Sequence, residues 1–245
     1  MKKSNRQGTK TQRSRIQTDY RFELAANPLH REIPYGPEQE AVLDEKGFQR
    51  AAGIIRSWPG YEPTPLIPLG STAEAAGVSA VHYKDESGRF GLGSFKPLGG
   101  AYAVLRQLMA EITAAKGLEW VEPDDVLQGR YSDIAAGVTV TAATDGNHGR
   151  SVAWGARLFG CRCVIFIHET VSPGRERAIA ALGAEVRRTP GSYDDAVRVA
   201  DETASREGWH QIPDTSDGVL TEAPRNVMQG YTLMAQEAMD QLPYA

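Results

Sequence analysis

Apolar and polar positions along this chain follow two rhythms, and their order predicts an α/β protein. The clearest helical stripe is Ala101, Val104, Leu105, Leu108, Met109 and Ile112, at offsets 0, 3, 4, 7, 8 and 11. Downstream, short apolar runs at 138–143, 161–167, 184–187 and 209–212 read as strands. They alternate with helical segments at about 148–159, 173–182 and 192–207. This alternation argues for a parallel sheet covered by helices. Upstream, a helix is expected over about 38–58. The stretch Gly60-Tyr61-Glu62-Pro63-Thr64-Pro65 cannot continue it, because two prolines remove donors and fix φ. A strand at 66–69, a short helix from Ser71 or Thr72 and a strand at 80–83 follow. A last helix is expected over about 224–242, with Val227, Tyr231, Met234, Ala238 and Leu242 as its apolar positions.

Between Lys84 and Gly100 both rhythms stop, in a polar stretch with five glycines in 17 residues. Boundaries are expected near Gly99 and near Asp217-Gly218. They would leave a smaller central α/β domain at 100–217, with 17–99 and 218–245 as parts of a larger one.

Composition narrows the choice. With 245 residues and 41% hydrophobic content the chain can bury a real core, and no apolar run approaches the roughly 18–20 residues of a membrane span. Residues 1–16 hold six basic side chains and no acid, so the remainder carries 21 basic against 31 acidic groups. That acidic body argues against nucleic-acid binding, and the tail reads as a solvated, disordered terminus. No apolar segment with a small-residue cleavage site follows the tail, so a cytoplasmic protein is expected. Cys161 and Cys163 lie two apart on a predicted strand with no second Cys or His pair. They read as packing residues, and no metal site is expected.

Two loops carry candidate chemistry, since each follows an apolar strand and precedes a helix, where open α/β sheets hold their ligands. In Gly93-Ser94-Phe95-Lys96-Pro97-Leu98-Gly99-Gly100, Lys96 sits among glycines and an aromatic ring, just before a proline suited to a first helical turn. It is either a nucleophilic amine or an ordinary loop lysine. In Thr144-Asp145-Gly146-Asn147-His148-Gly149, the Gly146, Asn147 and Gly149 amides at a helix start can cradle a carboxylate or phosphate. Asp145 would repel such an anion. It is therefore a helix cap, or it moves a proton or holds an ammonium group.

Taken together with Pro63-Thr64-Pro65-Leu66, these loops resemble the fold type II pyridoxal-phosphate enzymes, the group of tryptophan synthase β and threonine dehydratase. The longer strings Tyr83-Lys84-Asp85-Glu86-Ser87-Gly88-Arg89-Phe90-Gly91-Leu92-Gly93-Ser94-Phe95-Lys96 and Ala143-Thr144-Asp145-Gly146-Asn147-His148-Gly149-Arg150 resemble the diaminopropionate ammonia-lyase family in particular. The resemblance implies pyridoxal 5'-phosphate as cofactor, held covalently by Lys96 and contacted by Phe95 and Asn147. Lys96 and Asp145 would be the catalytic bases on opposite faces, one for each substrate isomer. Thr144, Asp145, Gly146, Asn147 and His148 would bind the amino-acid substrate, with Asp214 near its amino group. The implied reaction is elimination of ammonia from 2,3-diaminopropionate to give pyruvate, in a homodimer. Threonine or serine dehydration is the alternative, as is an inactive fragment that needs a C-terminal partner. Compared with the family, this chain stops at Pro243-Tyr244-Ala245, before the glycine-rich loop that binds the cofactor phosphate. A truncated product with its larger domain incomplete is therefore expected.

Overall fold

In the computed structural model, residues 34–216 and 220–243 are described. The tail expected at 1–16 and the boundary at Asp217-Gly218 lie outside the described residues. The chain divides into Met1–Pro34 and Tyr35–Ala245, and all elements named below belong to the second unit.

The first predicted helix is two. A short α1 (Pro37–Glu40) is followed by α2 (Glu45–Arg56), because Asp44 accepts from the Gly47 amide and caps a fresh start. Strands β1 (Leu66–Pro68) and β2 (His82–Lys84) flank α3 (Gly70–Ala76) and pair with each other antiparallel. A 3₁₀ turn, Glu86–Gly91, leads into α4 (Lys96–Lys116), then α5 (Pro123–Leu127) and α6 (Ser132–Ala135). The alternating part comprises β3 (Thr139–Ala143), α7 (Asn147–Phe159), β4 (Arg162–His168), α8 (Pro173–Ala180), β5 (Glu185–Thr189), α9 (Tyr193–Glu207) and β6 (His210–Gln211). The last element is α10 (Glu222–Asp240). Strands β5, β4, β3 and β6 lie side by side in that order, and each pairing is parallel. The expected α/β class holds, and β1–β2 adds a small antiparallel ladder outside the main sheet. Among the described residues no helix is long and apolar enough to cross a membrane.

Helix α4 is the hub. Every residue from Pro97 to Leu105 is buried, so its opening turns are enclosed on all sides rather than along one stripe. Small residues let neighbouring backbones reach it. A Cβ on Gly230 of α10 would lie 1.9 Å from the Leu98 carbonyl oxygen, and one on Gly99 would lie 2.4 Å from the Tyr231 ring. On the other side, a Cβ on Gly155 of α7 would lie 2.7 Å from the Ala101 Cα.

The stretch that precedes α4 is pinned by a buried, charge-balanced cluster. The Arg89 guanidinium donates to Glu86 Oε1 and Oε2 at 2.8 Å each, to Glu237 at 2.6 and 2.9 Å, to the Glu62 carbonyl at 3.0 Å and to Thr64 Oγ1 at 3.1 Å. Lys84 Nζ lies 2.9 Å from Glu237 and donates to the Thr64 carbonyl, while the Tyr61 hydroxyl donates to Glu237. Two cations face two carboxylates, and the fork of Arg89 is fully used, so the charges can be buried. Beside the cluster Phe90 adopts a left-handed backbone (φ 49°), its ring packed on Trp154 with centroids 4.8 Å apart. Much of the motif from Lys84 to Phe90 is thus spent on anchoring.

Helix α10 buries a face one step away from the predicted stripe. Asn226, Val227, Gln229, Gly230, Leu233 and Glu237 are inside, and Tyr231 and Met234 are only half-buried. The close approach at Gly230 and the ion cluster at Glu237 set this rotation. Cys163 is buried in β4 and Cys161 is half-buried just ahead of it.

Burial pushes the Glu237 carboxyl up, but hydrogen bonds from Arg89 and Lys84 outweigh this and hold it below its ordinary value of 4.5. Its contribution to stability is thus present at neutral pH and lost as pH falls below that value. Glu237→Gln should lower unfolding free energy at pH 7 by about 3 kcal/mol in urea titrations and flatten the acid limb of the stability profile. Burial pushes the Cys161 thiol up to about 12 and the Cys163 thiol up as well. Neither should react with a disulfide reagent at pH 8 until urea unfolds the chain, when two thiols should appear.

Candidate active site

The main sheet changes direction at β3. The chain steps from β3 to β4 and β5 on one side, and β6 then pairs on the other side of β3. Ligand crevices form outside the carboxyl ends of strands at such a point. Thr144 follows β3, Asp214 follows β6 by three residues, and Lys96 opens α4 beside them. Lys96, Thr144, Asp145, Gly146, Asn147, His148 and Asp214 together line one cavity of about 330 Å³, with Arg150, Gly174, Arg175 and Ala178 completing it. Asp214 also lines a second cavity of about 830 Å³, walled by Tyr193, Trp209 and Thr215.

Lys96 is the first residue of α4 rather than part of the preceding loop. Its carbonyl accepts from Ser151 Oγ of α7 at 2.9 Å, which fixes the backbone. Its Nζ donates to both carboxylate oxygens of Asp214, at 2.6 and 2.7 Å, with both side chains about one-quarter exposed. Two rings flank the ammonium, Phe95 at 5.3 Å and Tyr231 at 5.4 Å, themselves in edge contact with centroids 4.9 Å apart.

The loop after β3 is organised by Thr144. This side chain is buried, and its Oγ1 accepts from the amides of Gly146 at 3.1 Å and Gly149 at 3.3 Å. Two of the three amides that the sequence offers to an anion are thus occupied by a side chain. Gly149 also lets the helix approach, since a Cβ there would lie 2.4 Å from Thr144 Cγ2. Asn147 is exposed at the first position of α7. The Asp145 side chain is 67% exposed at the mouth, 3.9 Å from Arg175, which also donates to the Asp145 carbonyl at 3.2 Å. Asp145 caps no helix amide among the described hydrogen bonds, and the first residue before α7 is Gly146.

His148 is 2% exposed, and its Nε2 donates to the Ile212 carbonyl at 2.7 Å, which leaves Nδ1 as an acceptor. Nδ1 lies 3.5 Å from Asp214 Oδ1 and has no hydrogen-bond partner. Burial holds the imidazole below its ordinary 6.5, against the opposing pull of Asp214 and the Ile212 carbonyl.

Pyridoxal-phosphate dependent enzymes, as a family, match residues 57–245 of this sequence. The chain belongs to that family. Among curated pyridoxal-phosphate relatives it is 41% identical over 211 residues to diaminopropionate ammonia-lyase of Escherichia coli K12, covering 85% of this chain and 49% of that protein. The enzyme from Salmonella typhimurium is 40% identical over 188 residues, covering 75% and 45%. The fold is shared with crystal structures of the Escherichia coli enzyme. The apo form superposes with a TM-score of 0.70 at 38% identity, over 80% of this chain and 52% of that one. The complex with D-serine gives 0.73 at 36% identity, over 82% and 50%. The chain spans about half the length of the curated relatives it matches.

The cavity's donor set suits a pyridoxal cofactor at its reactive end. It offers a lysine amine over two aromatic rings, an exposed asparagine amide, and a buried imidazole with an unfilled acceptor. Tyr231 is the residue sequence reasoning passed over. It falls on the helical stripe of α10 and reads there as a core position, and nothing in its neighbours signals that α10 would bring it to Lys96.

Because His148 is buried neutral, its contribution to stability is present above about pH 6.5 and lost as pH falls below it. Imidazole NMR should find the Nε2–H tautomer at pH 7 and a titration midpoint below 6.5. His148→Gln should reduce the loss of stability on going from pH 7 to pH 5.

Proposed function

We propose that this chain carries the amine-bearing part of an enzyme that eliminates ammonia from 2,3-diaminopropionate. The reaction consumes one water and yields pyruvate and two ammonia molecules. The observation that carries the reading is the meeting of Lys96, Asp145 and Asp214 around one cavity, in a chain 41% identical to a diaminopropionate ammonia-lyase. Bound pyridoxal phosphate supplies the electron sink that makes the α-proton removable. Everything else falls to the chain's own groups.

Lys96 would hold the cofactor through Nζ and serve as one base at Cα, with Phe95 and Asn147 beside the pyridine ring. Asp145 would be the second base. It lies at the mouth of the cavity, and its 3.9 Å contact with Arg175 is weak enough to be given up as substrate enters. Asp214 already holds an ammonium, that of Lys96, and so is suited to receive the ammonium of a diamino acid in its place. The loop Thr144, Gly146, Asn147 and His148 would take the substrate carboxylate. The Thr144 hydroxyl shapes that loop, so the backbone amides of Asn147 and His148 are the donors assigned to the anion. In this reading 100–217 forms the smaller domain, and 17–99 with 218–245 belongs to the larger one of a homodimeric whole.

Incubation of the chain with pyridoxal phosphate, borohydride reduction and peptide mapping should put the label on Lys96 in near-stoichiometric yield. A label scattered over exposed lysines would sink the assignment. In a full-length protein with this N-terminal sequence, Asp145→Asn should cut turnover of D-diaminopropionate by at least 100-fold, an order of magnitude expected for loss of a general base, and spare the L isomer more. Equal turnover of both isomers by the variant would refute the two-base scheme. Turnover of L-threonine in preference to diaminopropionate would favour the dehydratase alternative.

A further inference from the structure

The Asp214 carboxylate is the meeting point of three side chains, and they are not equivalent. Lys96 Nζ donates to both of its oxygens. His148 presents only Nδ1, an acceptor, because its Nε2–H is committed to the Ile212 carbonyl, so it cannot hold a carboxylate. The third is Tyr231, whose hydroxyl donates to Asp214 Oδ1 at 3.4 Å. Its ring lies beneath the Lys96 ammonium and against the edge of Phe95.

We propose that Tyr231 is a positioning residue, whose hydroxyl fixes the Asp214 carboxylate and through it the Lys96 amine. This rests on the reading of Lys96 as the reactive amine and adds a residue on α10 to the site. When Lys96 is drawn toward a carbonyl, Tyr231 is the donor that remains on Asp214 among the described hydrogen bonds, so the acid stays in place for a substrate ammonium. Burial, with Asp214 beside it, pushes the phenol well up, which keeps it a donor throughout the working pH range.

The way α10 is mounted supports the assignment. Gly99 lacks the Cβ that would lie 2.4 Å from the Tyr231 ring, and Gly230 lets the α10 backbone press on the Leu98 carbonyl. Six residues further along, Glu237 is tied to Arg89 and Lys84. Tyr231 therefore sits between two anchors of α10. A side chain mounted so rigidly can hold a carboxylate to a fraction of an ångström.

The test reads the lysine itself, without cofactor, so it can fail or succeed independently of the labelling experiment above. An ammonium held in a bidentate pair is shielded from acylation until the pair opens, and a carboxylate free to swing opens it more often. The whole folded chain is treated briefly with acetic anhydride, and peptide mass spectrometry compares Lys96 with the exposed Lys46 as reference. Lys84, buried in the Glu237 cluster, reports loosening of the fold. Tyr231→Phe, which keeps the ring, should raise the relative rate at Lys96 by roughly three- to ten-fold and leave Lys84 unchanged. Asp214→Asn should raise it at least as much, and the double variant should match Asp214→Asn alone, because Tyr231 acts through Asp214. An unchanged Lys96 rate in Tyr231→Phe, multiplied effects in the double variant, or a parallel rise at Lys84 would each overturn the proposal.

Discussion

The close contact between the first turns of α4 and the backbone of α10 is the constraint on which the rest of this structure depends. At Gly230 the backbones of the two helices meet directly, at Gly99 the Tyr231 ring and the Val227 carbonyl fill the space a Cβ would take, and Gly155 brings α7 close to Ala101. Dense packing of this kind leaves no room for a methyl group, and it fixes helix positions far more tightly than a contact between flexible side chains. Lys96 stands at the N-terminus of the helix so enclosed. Its precision of placement is inherited from that enclosure.

A second anchor removes the remaining freedom. Arg89 and Lys84 against Glu86 and Glu237 form a cluster with no net charge and with most of its donors used. Such a cluster adds little net stability over a well-packed apolar core, but it tolerates very few alternative arrangements. It joins the turn before α4 to the far end of α10, elements about 150 residues apart in sequence. The glycine contact sets how close α10 lies, and the ion cluster sets how far it is rotated. With both in force, Tyr231 is brought to the Lys96–Asp214 pair and Glu237, not Ala238, faces inward.

The electrostatics of the cavity follow from the same geometry. Lys96 and Asp214 satisfy each other, and His148 is kept neutral by burial with its lone pair turned toward the acid. Asp145 lies apart at the rim, 3.9 Å from Arg175. The two carboxylates thus have different settings, one paired and sheltered, the other exposed.

From the sequence alone, the order of strands and helices from 138 to 212 was legible, because buried parallel strands and amphipathic helices leave strong local periodicities. So were the two loops that line the cavity, since glycine, proline and a charged residue at a strand-to-helix turn are local signals. The break between α1 and α2, the antiparallel β1–β2 pair and the inward face of α10 were not legible. The first is a local cap, Asp44 on the Gly47 amide, hidden because the helical stripe runs on through it; the other two are decided by groups distant in sequence, Thr64 and Lys84 meeting Glu237 and Gly230 pressing on Leu98. For the same reason Lys96 and Asp145 could be named as candidates from their own loops. Which acid the lysine pairs with, and the presence of Tyr231 beside that pair, are long-range facts. Periodicity records which face of an element is apolar, but only the tertiary structure decides what that face meets.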